Sequence, residues 1–287
     1  IGFDIMEETQ LIIISSSVVI ILNFLYLSYC LFCPMPEFKI SDRPQNLPFT
    51  IILPMRDEKK NVERKLKEVI REIMPHTGTD VIVVDSASSD GTADIAEELL
   101  QMSALTTERW SLIKSTIPGK SRAINLALAS SKSSHFIMMD ADSVVESGWL
   151  DFFQRVFTDP EIGSVSGIEN IQLDEGWRGH YRTNANRIRI MESRMGSTTV
   201  LEGGLMAWKS EITNSIPLVE ESNGDDSQLA LSSIRLGYRS IVLDGLIFSD
   251  SSKSNQVQRS IRRSQGLTRN FLRNWDLIFT AKDCRVG

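Results

Sequence analysis

HFIMMDADSVVES, residues 135 to 147, decides the reading of this chain. An apolar run ends there in two aspartates, Asp140 and Asp142, with one alanine between them. Apolar residues without alternation suit a strand buried on both faces. Two carboxylates at the tip of such a strand repel one another and lose solvation, so they need a cation. Their hard oxygens suit Mg²⁺ or Mn²⁺, and substrate phosphates can complete the shell of either ion. A lone D-x-D also serves as a turn or a helix cap, so the surrounding sequence has to decide between these roles.

Upstream, short apolar runs alternate with helical patterns. FTIILP (49 to 54), VIVVD (81 to 85) and WSLIKS (110 to 115) read as strands, and HFIMMD (135 to 140) as a fourth. Between them, Val62, Leu66, Val69, Ile70 and Ile73 recur at helical spacing, SSDGTADIAEELLQM opens a helix with polar caps, and PGKSRAINLALASS gives a third. Strand and helix in alternation predict an α/β fold with a mostly parallel sheet flanked by helices. Ligands of such sheets lie outside the carboxyl ends of the strands, which here are Pro54, Asp85 and Asp140. Downstream the chain reads less clearly. SVSGIENIQ is followed by a helix through GWRGHYRTNANRIRIMESR, then VLEGGLMAWK, GDDSQLALSSIRLG and YRSIVLD.

The chain has 287 residues, 41% hydrophobic and 24% charged, with a formal charge of -6. That composition excludes collagen, coiled coil and wholesale disorder. Residues 11 to 33 hold no charged side chain and predict a transmembrane helix. Asp4, Glu7 and Glu8 precede it while Lys39 and Arg43 follow, so the positive-inside rule puts the rest in the cytoplasm. A proline-rich linker ends near residue 46. We therefore expect an anchor and linker at 1–46, a catalytic domain at 47–250 and a basic amphipathic segment at 251–287. In the last, Val257, Ile261, Phe271, Leu272 and Trp275 alternate with arginines, the pattern of an interfacial helix on a membrane. Cys30, Cys33 and Cys284 make no disulfide framework, and Cys30 and Cys33 read as packing residues rather than a zinc pair. His76, His135 and His180 are scattered and build no catalytic triad. No nucleic-acid partner is expected.

The order of motifs resembles the inverting glycosyltransferases of family 2, which have the GT-A fold, over roughly residues 48 to 250. FTIILPMRDEKKNVERKL is similar to the opening strand and turn, and the resemblance implies that Pro54, Arg56 and Glu58 line the nucleotide pocket. VIVVDSASSDGT looks like the second strand, whose Asp recognises the base, here Asp85. Many members carry a second Asp where this chain has Ser86. PGKSRAINLAL places Lys120 near the donor phosphates, and DADSVVESGWL matches the metal motif, with Asp140 toward ribose and metal and Asp142 on the metal. VLEGGLMAWK is similar to the acceptor-side segment, with Gly203 and Gly204 letting backbone approach the sugar. NGDDSQLALSSIRLGYRS resembles the acidic pair that carries the catalytic base, so Asp226 falls on the base position and Asp225 replaces a Glu. Processive relatives end in Gln-x-x-Arg-Trp; the match here is Arg259, Arg262 and Arg263, without the aromatic platform.

The resemblance thus implies a metal-dependent, non-processive enzyme that uses Mn²⁺ or Mg²⁺. It would move a sugar from a UDP- or GDP-linked donor to a lipid-linked saccharide or polyprenyl phosphate. The chemistry asks for the same parts, because the departing diphosphate needs positive charge and the acceptor hydroxyl needs a carboxylate to take its proton. Three alternatives stand beside this reading: a processive polysaccharide synthase, a haloacid dehalogenase-like phosphatase that shares D-x-D-x-V, and a membrane-anchored nucleotide-binding scaffold without turnover.

Overall fold

The computed structural model describes residues 2–32, 40–170, 177–222, 224–250 and 256–277. Its first unit runs β1 (Phe49–Met55), α2 (Val62–Ile73), β2 (Thr79–Ser86), α3 (Thr92–Gln101), β3 (Trp110–Ser115), α4 (Lys120–Ser130) and β4 (His135–Met139), after an N-terminal helix α1 (Gly2–Phe32). The second unit runs β5 (Ser143–Val145), α5 (Trp149–Val156), β6 (Ile162–Glu169), α6 (Trp177–Met195), β7 (Leu205–Lys209), α7 (Ser210–Ser215), α8 (Asp225–Arg235), β8 (Arg239–Asp250) and α9 (Gln256–Arg273). Among the described residues the strands form one sheet in the order β3-β2-β1-β4-β7-β6-β8-β5.

The uninterrupted apolar runs are explained by burial on both faces of this sheet. Ile51, Leu53 and Met55 of β1 pack with Val62, Leu66, Val69 and Ile73 of α2 and with Trp149 and Phe153 of α5. Ile52, with Ile82, Val84, Phe136 and Met138, faces the other way onto Ala123, Ile124 and Ala127 of α4 and Leu229 and Ala230 of α8. Alternate residues of a strand point to opposite faces, so a strand with a core on each side has no polar positions.

β1 pairs in parallel with β2 on one side and with β4 on the other. The chain therefore reverses its winding direction at β1, and the carboxyl ends of β1 and β4 part at the reversal to leave a crevice. The sheet is more mixed than the expected mostly parallel one. β7 runs antiparallel to both β4 and β6, and β5 antiparallel to β8. Residues 164–169 of SVSGIENIQ belong to β6, and β5 and α5 were not legible as elements.

α1 covers the run expected to cross a membrane, and the Tyr26 hydroxyl hydrogen-bonds the Glu192 carboxylate of α6. Among the described residues, however, no helix is long and apolar enough to cross a membrane. The side chains described in α1 are continuous only over residues 13–26 and include the exposed Ile13, Ile14, Val18, Ile20 and Phe24. Cys33, Cys284 and the linker residues 34–39 lie outside the described residues, as does the side chain of Cys30.

Candidate active site

A cleft of about 630 Å³ opens at the crevice between β1 and β4. Pro54, Arg56, Glu58, Lys120, Asp140, Asp142, Asp225 and Arg263 all line it, together with Ser86, Gly119 and Glu220. The structure thus gathers eight of the residues singled out from sequence, drawn from five separate parts of the chain.

Two loops frame the base end. The backbone N–H groups of Asp57, Glu58 and Lys59, after β1, donate to Ser88 Oγ, Thr92 Oγ1 and Asp90 Oδ2, after β2, at 2.8–2.9 Å. In return Asp57 Oδ1 accepts the Ser89 N–H at 2.8 Å. Asp57 and Ala87 both hold a left-handed backbone, φ 54° and 58°, in this lacing. Such a conformation is unusual for a non-glycine residue and persists only when its surroundings over-determine it. Asp85, 5% exposed, accepts the Ser88 N–H on Oδ2 at 3.2 Å, while its buried Oδ1 has no hydrogen-bond partner. An orphaned buried carboxylate oxygen is unfavourable until a donor reaches it. Ser86, where many relatives have a second Asp, instead accepts the Gly119 N–H on Oγ at 2.8 Å and so ties β2 to the start of α4.

Lys120, the first residue of α4, is the hub of the site. Its Nζ lies 2.7 Å from Asp140 Oδ1 and 3.5 Å from Asp225 Oδ2, and it donates to the Gly203 carbonyl at 3.3 Å. Burial acts to lower its pKa, but Asp140 and Asp225 outweigh this and raise it, so the ammonium stays charged.

The Asp140–Ser143 turn is held from behind by α2. Arg64 donates to the carbonyls of Ala141 and Ser143 at 2.9 and 3.0 Å. Lys65, fully buried, donates from Nζ to Ser143 Oγ at 3.2 Å and pairs with Glu68 at 2.8 Å. Ser143 Oγ donates in turn to the Asp140 carbonyl at 2.7 Å. Neither Arg64 nor Lys65 was picked out in the sequence, where both look like ordinary cations of an amphipathic helix.

The donor set fits a divalent cation shared with substrate. Asp140 and Asp142 enter one cleft, but among the described residues no group of three or more His, Cys, Asp or Glu side chains gathers that could hold an ion. The protein would thus provide two carboxylates, and phosphate oxygens and water the rest, the usual habit of Mg²⁺ and Mn²⁺ at phosphate sites.

Across the cleft, Asp225 and Asp226 open α8. Asp226 Oδ1 accepts the N–H of the next residue, Ser227, at 2.7 Å within the first turn of α8. Burial, and then the charge of Asp225, pushes its pKa up to about 6. It is Asp225, 8% exposed with Oδ2 lacking a hydrogen-bond donor, that reaches the cleft lining. The two glycines expected beside the sugar play different parts. A Cβ on Gly203 would stand 3.6 Å from Asp226 Oδ2 and 3.7 Å from Lys120 Nζ, so Gly203 lies beside these two groups. A Cβ on Gly204 would lie 2.3 Å from Phe248 Cε2, so that glycine answers to packing against β8 rather than to ligand approach. The side chains of Arg259 and Arg262 lie outside the described residues.

Comparison with known proteins bears on the family and the fold. A model of the family described as Glycosyl transferase family 2 matches residues 50–215. The glycosyltransferase AglE of Haloferax volcanii is 30% identical over 106 residues, 37% of this chain; the match spans 34% of that protein's length. Among solved structures, the mannosyltransferase PcManGT from Pyrobaculum calidifontis, in complex with GDP-Man and Mn²⁺, superposes with a TM-score of 0.74. It is 24% identical, over 93% of this chain and 73% of that one. Glucosyl-3-phosphoglycerate synthase from Mycobacterium tuberculosis, in complex with Mn²⁺, UDP and glucosyl-3-phosphoglycerate, gives a TM-score of 0.54 at 17% identity, over 80% of each chain. These structural likenesses are of fold.

Proposed function

Because the chain belongs to glycosyl transferase family 2, we propose that its cleft binds a nucleoside diphosphate sugar with Mn²⁺ or Mg²⁺ and passes the sugar, with inversion, to an acceptor held at a membrane surface. One observation carries this reading: Lys120 stands between a strand-end carboxylate, Asp140, and a helix-start carboxylate, Asp225, in a single cleft. Such a cleft sets an ammonium beside carboxylates in one reaction space, and a departing diphosphate and an entering hydroxyl need one of each. The complexes of the two structural neighbours, one with GDP-Man and one with UDP, each with Mn²⁺, favour a nucleotide-linked donor and a divalent ion here.

The orphaned Asp85 Oδ1 accepts an N–H of the base. Lys120 and the N-terminus of α4 hold the diphosphate. A cation on Asp140 and Asp142, when bound, offsets the negative charge of the leaving diphosphate. The acceptor oxygen attacks the anomeric carbon from the side of α8. As that bond forms, the bond to the diphosphate oxygen breaks, and the acceptor's proton passes to Asp226, with Asp225 beside it.

The membrane-bound acceptor is supported by the uncharged stretch 11–33 in and after α1 and by the exposed Ile261, Leu267, Phe271, Leu272 and Trp275 of α9 and the turn after it. Arg263 on the cleft wall, where processive relatives carry Trp, favours transfer of one sugar and a phosphate on the acceptor. The flanking charges favour a cytoplasmic side for the catalytic part. Calorimetric titration of the detergent-purified protein with UDP and with GDP, in Mn²⁺ and in EDTA, tests the donor site. Metal-dependent binding of one nucleotide, lost in Asp142→Asn, is expected; no binding of either by folded protein would sink the proposal.

A further inference from the structure

α9 reaches the acceptor-side carboxylates through one buried amide. Asn270 is 1% exposed, and each of its polar side-chain atoms is engaged at the start of α8. Its Nδ2 donates to the Gly224 carbonyl at 2.9 Å and to Ser227 Oγ at 2.6 Å, while its Oδ1 accepts the Ser222 hydroxyl at 2.6 Å. These contacts bracket Asp225 and Asp226 on both sides. The approach is close: a Cβ on Gly224 would stand 2.9 Å from Asn270 Nδ2 and 3.4 Å from the Gly266 carbonyl carbon. Gly224 therefore has no room for a side chain because α9 occupies that room. Two further contacts fasten the helix and the turn after it, Arg269 donating to the Glu221 carbonyl at 2.9 Å and Arg235 of α8 forking onto Asp276 beyond the end of α9 at 2.8 Å.

We propose that Asn270 is a positioning residue through which the seating of α9 sets the placement of Asp225 and Asp226 against Lys120. This rests on the assignment of those carboxylates to the acceptor side, and goes beyond it by making α9 part of the catalytic apparatus. Buried amides with all their partners fix geometry, because any other arrangement leaves a polar atom unpaired. The face of α9 that carries Gly266 and Asn270 lies against the domain, while Ile261, Phe271, Leu272 and Trp275 face outward.

The test uses the full chain in detergent with Asn270→Asp, which keeps the shape and removes both donors, and Asn270→Ala. Three quantities are read: Mn²⁺-dependent binding of UDP or GDP, release of nucleoside diphosphate from the corresponding sugar nucleotide with water as acceptor, and amide exchange over residues 224–228. Nucleotide affinity is expected to stay within about twofold, with release slowed roughly tenfold or more and exchange accelerated by a similar factor in both variants. Unchanged exchange over 224–228 would overturn the proposal whether or not water is turned over. So would a parallel loss of nucleotide binding and release, which marks general damage. Failure of the parent protein to bind either nucleotide is a different result: it defeats the donor site and leaves the exchange comparison standing.

Discussion

Lys120, Asp225 and Asp226 act as one electrostatic unit. Asp226 is held near pKa 6 by burial, by Asp225 and by Glu202, against the opposing pull of the Ser227 N–H and Lys120. A base must be deprotonated to work, so turnover is expected to rise with pH through about 6 and then level off. In Asp225→Asn one of the influences that raises the pKa is gone, and the rising limb should move to lower pH, as initial rates measured from about pH 4.5 to 8 will show. A limb that stays in place would remove Asp226 from the base role. These residues were singled out beforehand through the resemblance of the ordered motifs to family 2, since none of the motifs alone would have marked them. Asn270, Arg64 and Lys65 were not legible. Their work lies in partners 46, 77 and 78 residues away in the chain, which no local pattern records.

At the scale of elements, the strands of the first half announced themselves, the edge strand β3 included, and those of the second half did so less clearly. β1, β2 and β4 are buried on both faces and therefore read as solid apolar runs. β6 is equally buried but carries Ser164 and Ser166, both 0% exposed. Ser164 Oγ accepts the Ser233 hydroxyl of α8 at 2.8 Å and Ser166 Oγ accepts the Glu202 N–H at 2.9 Å, so distant partners make a polar strand tolerable. α9 was foreseen as amphipathic, and its outward residues fit a lipid surface. Replacing Phe271 and Trp275 together by Ser should weaken co-sedimentation with anionic phospholipid vesicles at least about tenfold in a chain starting at residue 47, while nucleotide affinity is kept. Equal sedimentation of the variant and its parent would show that this face meets something other than lipid.

Across the whole molecule, the sheet carries a seam in its middle, where β7 lies antiparallel to β4. On one side of that seam the cleft is furnished from the carboxyl ends of strands: Pro54 and Arg56 at and after the end of β1, Ser86 at the end of β2, Asp140 after β4. On the other side it is furnished from the amino ends of elements: Gly203 ahead of β7 and Asp225 opening α8. The two furnishings meet along the β4–β7 ladder and through contacts that include Lys120 with Asp225 and Gly203, Arg122 with Glu220, and Asp140 with Gly204. The two walls of the pocket nonetheless come from different stretches of the chain, which predicts that they can be exchanged separately. Grafting residues 198–235 and 256–277 as one block from a relative with a different acceptor should redirect the product while leaving nucleotide choice with the host, which a donor-binding titration and product mass would show side by side. Descendants of such a chain can change what they glycosylate without relearning what they carry.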